Sequence, residues 1–257
     1  MSSHYEALPQ EPPRYTDFAE SPAENPLANN GAKKTDTPVF ECSKSIRMAF
    51  LRKVYMILSA QLVVTAVAGT IFGYTPVLFN WLQMNPWFLL VSFIGMMVTM
   101  FFLLAKPYSY PRNYILLFTF TLLEGITLGS VISFFSSQIL LEAVFITMGT
   151  FIALTAFTFQ SKYDFSRWGG VLYASLWILV LLPLLYFIFP GTRMMDLGFA
   201  GFGTLIFCGY IMYDTYNILH NYSPEDFIMS SLMLYMDLIN LFIRILSILN
   251  ILQNNDE

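Results

Sequence analysis

Seven stretches of about 20 mostly apolar residues, each separated from the next by a short polar or Pro/Gly-containing break, decide what this chain can fold into. A helix rising about 1.5 Å per residue needs that length to cross a hydrocarbon layer about 30 Å thick, and only structures that satisfy their own backbone N–H and C=O groups survive there. The spans are expected at 54–74, 87–105, 114–135, 139–159, 168–189, 199–219 and 228–252. Loops this short imply one all-α integral membrane bundle over residues 41–253, followed by a short polar C-terminus at 254–257. Composition agrees, because a chain of 257 residues that is 56% hydrophobic and 12% charged has too little charge to coat a soluble surface.

Residues 1–40 differ in kind. Pro9, Pro12, Pro13, Pro22, Pro26 and Pro38 stand among Glu, Asn, Ser and Ala, with too few large apolar side chains for a core, so a disordered cytosolic tail is expected. This long, polar, Pro-rich segment is unlike a cleavable leader, which is short and basic before its apolar run. Within it "PPRY" fits the Pro-Pro-x-Tyr pattern, in which Pro12, Pro13 and Tyr15 dock as polyproline II in the aromatic groove of a WW domain. Such docking would recruit a ubiquitin ligase; four residues in a Pro-rich tail also arise by chance.

Lys and Arg near span ends set the orientation. Lys44, Arg47, Arg52 and Lys53 precede the first span, Lys106 and Arg112 lie in the second loop, and Lys162 and Arg167 in the fourth, whereas the odd-numbered loops hold Arg193 alone. The N-terminus is therefore placed in the cytosol. Seven full crossings put the C-terminus on the far side; a re-entrant seventh segment returns it to the cytosol. Two cysteines, Cys42 and Cys208, and two histidines, His4 and His220, form neither a disulfide framework nor a metal cluster, and a net charge of −4 disfavours nucleic acid. No cofactor and no enzymatic activity are expected.

Small residues mark expected close helix approaches: Gly69 and Gly73 in span one, Gly125 and Gly129 in span three, and Gly198, Gly201 and Gly203 entering span six. Trp81, Trp87 and Trp168 fall near span ends, as interfacial anchors do.

The spans also hold charge: Glu124, Glu142, Asp214, Asp237 and Arg244. Glu142 is close enough to its span end to reach the interface. An ionised Asp near a helix centre costs about 2.5–3.5 kcal/mol on insertion scales, so Asp214 and Asp237 are expected to face protein or a water-filled path. With a turn near 220–227, they lie about 7 Å and about 13 Å below adjoining helix ends, near enough in depth to meet. Two such carboxylates cannot both ionise easily, and one proton is held between them. Asp237, Asn240 and Arg244 share one face of the last helix, which makes that helix central in the bundle. Two readings stand open: ion handling by this stripe, or a structural clasp of Asp237 with Arg244. Glu124, beside Gly125, is expected to be buried with a polar partner from another helix.

"FLRKVYMILSAQL" entering span one, "LLEGITLG" in span three, "MYDTY" in span six and "LYMDLINLFIRIL" in span seven together resemble the transmembrane Bax inhibitor motif family, also called lifeguard proteins, over residues 42–253. The tail resembles that of fungal members. The resemblance implies seven helices with the last one central, and a pH-controlled calcium leak from an internal store. It also implies restraint of stress-induced cell death, a link to the unfolded protein response, and cell-death regulators as partners. It further implies that Asp214 and Asp237 form the proton sensor, on which calcium would bind transiently; Glu124, Asn240 and Arg244 are expected, from their place in the spans, to be supporting polar groups. The expected membrane is the endoplasmic reticulum, with vacuole, Golgi and mitochondrion as alternatives. Bacterial relatives latch the sensor with an arginine from the second span; this chain has none between Trp87 and Ala105, so a latch here would need another base, for which Arg244 is one candidate.

Other seven-span or two-aspartate proteins fit less well. Intramembrane aspartyl proteases share Tyr213–Asp214 but need Gly-x-Gly before the second aspartate, where this chain has Leu234, Tyr235 and Met236. G-protein-coupled receptors place the N-terminus outside, and rhomboid-like hydrolases need a membrane histidine. A non-conducting scaffold acting through partners is the remaining alternative.

Overall fold

The computed structural model describes residues 37–185 and 192–253. Eight α-helices follow in order: α1 Lys44–Tyr74, α2 Pro76–Met84, α3 Trp87–Ala105, α4 Arg112–Ile132, α5 Ser137–Gln160, α6 Gly169–Leu185, α7 Arg193–His220 and α8 Phe227–Gln253. Short 3-10 turns occupy Val39–Glu41 and Phe165–Trp168, and there is no strand among the described residues. Seven segments, ending in every α-helix but α2, are long and apolar enough to cross a membrane, as the apolar blocks require.

The ends of the elements differ from expectation for local reasons. α1 begins about ten residues before the apolar block, because Lys44, Arg47 and Arg52 are good helix formers that project past the hydrocarbon. α2 lies where a plain loop was expected; Pro76 at its first turn presets φ and gives up an N–H that would have no partner anyway. α4 ends at Ile132 rather than 135, since Ser136 caps α5 by accepting the Ile139 N–H at 3.3 Å. α8 is one unbroken helix of 27 residues, with no interruption for a re-entrant turn.

α8 is the axis of the fold. α1, α4, α5 and α7 pack around it, while α3 rests mainly on α4 and α6 on α7. In its most apolar stretch 56% of residues are buried, against 17–44% in the other six spans. That arrangement follows from its polar stripe, which only protein neighbours can satisfy.

The α1–α4 contact is a glycine seam. A Cβ on Gly73 would stand 2.7 Å from the Gly129 carbonyl oxygen, one on Gly129 2.8 Å from the Gly69 oxygen, and one on Gly125 2.8 Å from the Ala68 Cβ. The expectation for Gly198 and Gly201 fails, because both face open space with nothing within 4 Å. Gly203 admits a side chain instead of a backbone: Arg244 Cδ lies 2.8 Å from where its Cβ would be.

At the basic end several segments converge on the α7–α8 turn. Val39 and Phe40, which fall inside the tail expected over 1–40, pack against it: Val39 is fully buried and donates its N–H to the Tyr222 carbonyl at 2.8 Å. Phe40 stacks on His220 at 5.1 Å, and His220 on Tyr216 at 4.1 Å. Tyr108 donates to Asp226 at 2.5 Å, and Lys53 Nζ sits 3.2 Å from the Phe227 ring centroid. At the other end Arg193 donates to the Ile251 carbonyl, one of the carbonyls that α8 leaves free at its C-terminus.

Candidate functional site

α7 ends when the Asn221 N–H bonds back to the Asn217 carbonyl at 2.8 Å. The turn at 221–226 is then fixed by Asp226, whose Oδ2 accepts the Ser223 N–H at 2.9 Å and the Ser223 hydroxyl at 3.0 Å. This hairpin lays α7 along α8 and brings Asp214, six residues from one end, beside Asp237, ten residues from the other. Both carboxylates are buried, at 8% and 6% exposure, and they lie within hydrogen-bonding reach of each other. Asp237 Oδ2 is buried without a hydrogen-bond donor among the described residues.

Phenols surround the pair. Tyr210, one turn from Asp214 on α7, feels both carboxylates, and Tyr222 reaches back from the turn, near Asp214, and donates to Met233 Sδ at 3.0 Å. Burial, then the charges of Asp214 and Asp226, push the Tyr222 phenol well above its ordinary range, so it stays a protonated donor. Asn240 is turned to its own helix, donating to the Met236 carbonyl at 2.8 Å.

Arg244 does not latch this pair, nor does it clasp Asp237. Its guanidinium lies 4.5 Å from the Phe199 ring centroid, in the slot opened by Gly203, about two helical turns farther along α8 than Asp237. The one ion pair among the described residues joins Arg167 and Asp164 at 4.0 Å on the surface. The Asp214–Asp237 pair is thus uncompensated by any base in that set.

Glu124 belongs to a different cluster. It is half-buried and neighbours Tyr235, which lies two residues before Asp237 and so about 200° around α8. The Tyr235 and Thr65 hydroxyls share a 2.7 Å hydrogen bond, Thr65 donates to the Gln61 carbonyl at 2.9 Å, and Gln61 Nε2 donates to Thr121 at 3.2 Å. Sequence reading passed over this network; Gln61 and Thr65, one turn apart in an apolar span, were its signal. Glu142 is half-buried near the start of α5 and accepts from Gln138 and Gln253. Pro12, Pro13 and Tyr15 lie outside the described residues.

Chemically, two oxygen-bearing side chains can share a proton or touch a hard cation in passing. Among the described residues no group of three or more His, Cys, Asp or Glu is poised to hold a metal, and a calcium cage needs six to eight oxygens.

Comparison with known proteins adds a second line. The family described as "Inhibitor of apoptosis-promoting Bax1" matches residues 47–255. The chain is 61% identical over the full length of both chains to Bax inhibitor 1 of Schizosaccharomyces pombe. It is 41% identical to the Golgi anti-apoptotic protein of vaccinia virus, covering 83% of this chain and 90% of that one. Protein lifeguard 4 of Mus musculus is also 41% identical, over 82% of this chain and 88% of its own.

Proposed function

Because the chain belongs to the Bax inhibitor family, we propose that it is a proton-gated calcium leak of an internal membrane, which lowers stored calcium and restrains stress-induced, apoptosis-like cell death and the unfolded protein response. The observation that carries this reading is the buried Asp214–Asp237 pair with no base beside it among the described residues. A static packing element is more stable when such charges are replaced or paired, so an uncompensated pair at a helix–helix contact suits a group that changes state.

In the closed state one carboxyl keeps a proton and donates to the other, tying α7 to α8 beneath the turn. Loss of that proton sets two negative charges against each other among the neutral phenols of Tyr210 and Tyr222. The helices then separate or a divalent cation enters, and oxygen ligands suit calcium. Acid closes the path and base opens it. Calcium is cargo in this scheme; it calls for no resident cofactor and no enzymatic step.

Names of relatives support the cellular part of the reading, since one is called a Golgi anti-apoptotic protein. The endoplasmic reticulum is the first membrane to test, then Golgi, vacuole and mitochondrion. Pro12, Pro13 and Tyr15 are assigned to a WW-domain ubiquitin ligase, and a Tyr15→Ala tail peptide should lose WW binding.

The deciding experiment is calcium flux into dye-loaded liposomes across about pH 6 to 8, wild type beside Asp214→Asn/Asp237→Asn. Flux that falls in acid, with that dependence absent from the double variant, supports the reading. Folded protein that passes no calcium would make the pair structural and the protein a non-conducting scaffold.

A further inference from the structure

On the basic side of the glycine seam, the surface between α1 and α4 opens into a groove of about 430 Å³. Its α1 wall is a single helical face, on which Lys53, Met56, Ala60, Gln61 and Val64 recur at steps of three, four and one. Tyr114, Phe118 and Thr121 do the same on α4. The groove therefore runs along the helix axes, and Lys53 to Val64 spans about 16 Å, close to the hydrocarbon depth of one leaflet. The buried Gln61–Thr121 hydrogen bond, 3.2 Å long, bridges the two helices as its floor.

Two observations identify what lies there. Met56 and Phe118 on the rim are 59% and 52% exposed and belong to the apolar surface that lipid covers, so the groove is continuous with the bilayer contact. At its outer end Lys53 contributes a cation with no carboxylate at ion-pairing distance among the described residues. The Phe227 ring beneath the ammonium attracts it without neutralising it, and leaves its other N–H groups free to donate. This is an apolar channel with a positive mouth. The mouth lies at the basic end, which the positive-inside rule assigns to the cytosol, and the cytosolic leaflet is the anionic one.

We infer that the α1–α4 groove binds one anionic phospholipid of the cytosolic leaflet, its phosphate on Lys53 and one acyl chain laid along α1 toward Gln61. A sterol or a zwitterionic lipid fills the walls but does not answer the charge. The site is separate from the Asp214–Asp237 pair and does not depend on the calcium reading.

The test is native mass spectrometry of the detergent-purified full chain titrated with phosphatidylserine or phosphatidylcholine, with circular dichroism and thermal unfolding of each variant. One phosphatidylserine adduct is expected to outlast phosphatidylcholine. Lys53→Gln should weaken it about tenfold, the loss of one charge-assisted contact, while Lys53→Arg retains it. Ala60→Trp, which fills the groove from its exposed wall, should abolish the adduct, and Val98→Trp on the lipid-facing side of α3 should not. Excess inorganic phosphate should fail to displace the lipid. Equal retention of both lipids, an adduct unchanged by Lys53→Gln and Ala60→Trp, displacement by phosphate alone, or a dimer that Ala60→Trp dissolves would each overturn the proposal.

Discussion

Tyr235 and Asp237 stand two residues apart on the same helix, and their surroundings are opposite. Tyr235 points to α1, where its hydroxyl, Thr65, Gln61 and Thr121 form a chain of neutral hydrogen bonds. Asp237 points to α7, where another acid, Asp214, lies within hydrogen-bonding reach and Oδ2 finds no donor among the described residues. These hydroxyl and amide hydrogen bonds on the Tyr235 side act as glue, since Tyr235, Thr65, Gln61 and Thr121 carry no charge that changes across cellular pH. In the proposed scheme the acidic face holds only while a proton is shared. One helix thus joins a fixed half of the bundle to a conditional half.

The contrast breaks most visibly if the conditional half is made neutral. Asp214→Asn/Asp237→Asn should remove a pH response of calcium flux that, for one titrating proton, reaches about tenfold per pH unit, as read in liposomes. Wedging the fixed half comes next: Gly73→Leu drives a side chain into the Gly129 carbonyl and should cost about 1–3 kcal/mol in thermal unfolding, more if the helices cannot part. Tyr235→Phe is milder. It should cost about 0.6–1.7 kcal/mol, the range of interhelical hydrogen bonds in membranes, and leave the pH response of flux as it was. Smallest of all, Arg244→Gln loses a cation–π contact with Phe199 of about 0.5–1 kcal/mol and should not move the pH response, because Arg244 does not touch the acidic pair. A changed response in that variant would restore Arg244 as the latch.

Span number and the centrality of α8 were legible because lipid imposes them: apolar length sets the crossings, and a stripe holding Asp237 and Arg244 has nowhere to go but inward. The meeting of Asp214 with Asp237 was legible from depth, since a short turn leaves little freedom in register. Arg244 was misplaced because helical spacing gives the face of a residue but not its neighbour's shape; the slot at Gly203 and the Phe199 ring claim it before any carboxylate does. The same limit hid Thr65–Tyr235 and Gln61–Thr121, whose partners lie 170 and 60 residues apart and are matched only by the α1–α4–α8 geometry. The Gly198 and Gly201 error shows that a small residue permits close approach without requiring it.

The helix at the centre also follows, along the chain, all the helices that pack around it. Helices α1, α4, α5 and α7 are made before the surface they surround exists, so Thr65 and Asp214 wait for their α8 neighbours. Assembly of the core therefore waits for α8 rather than proceeding by stepwise insertion. A chain cut within the 27 residues of α8 lacks the piece on which α1, α4, α5 and α7 all close. Loss of the C-terminal helix should consequently read out in cells as rapid clearance of the whole protein rather than as a partly working one.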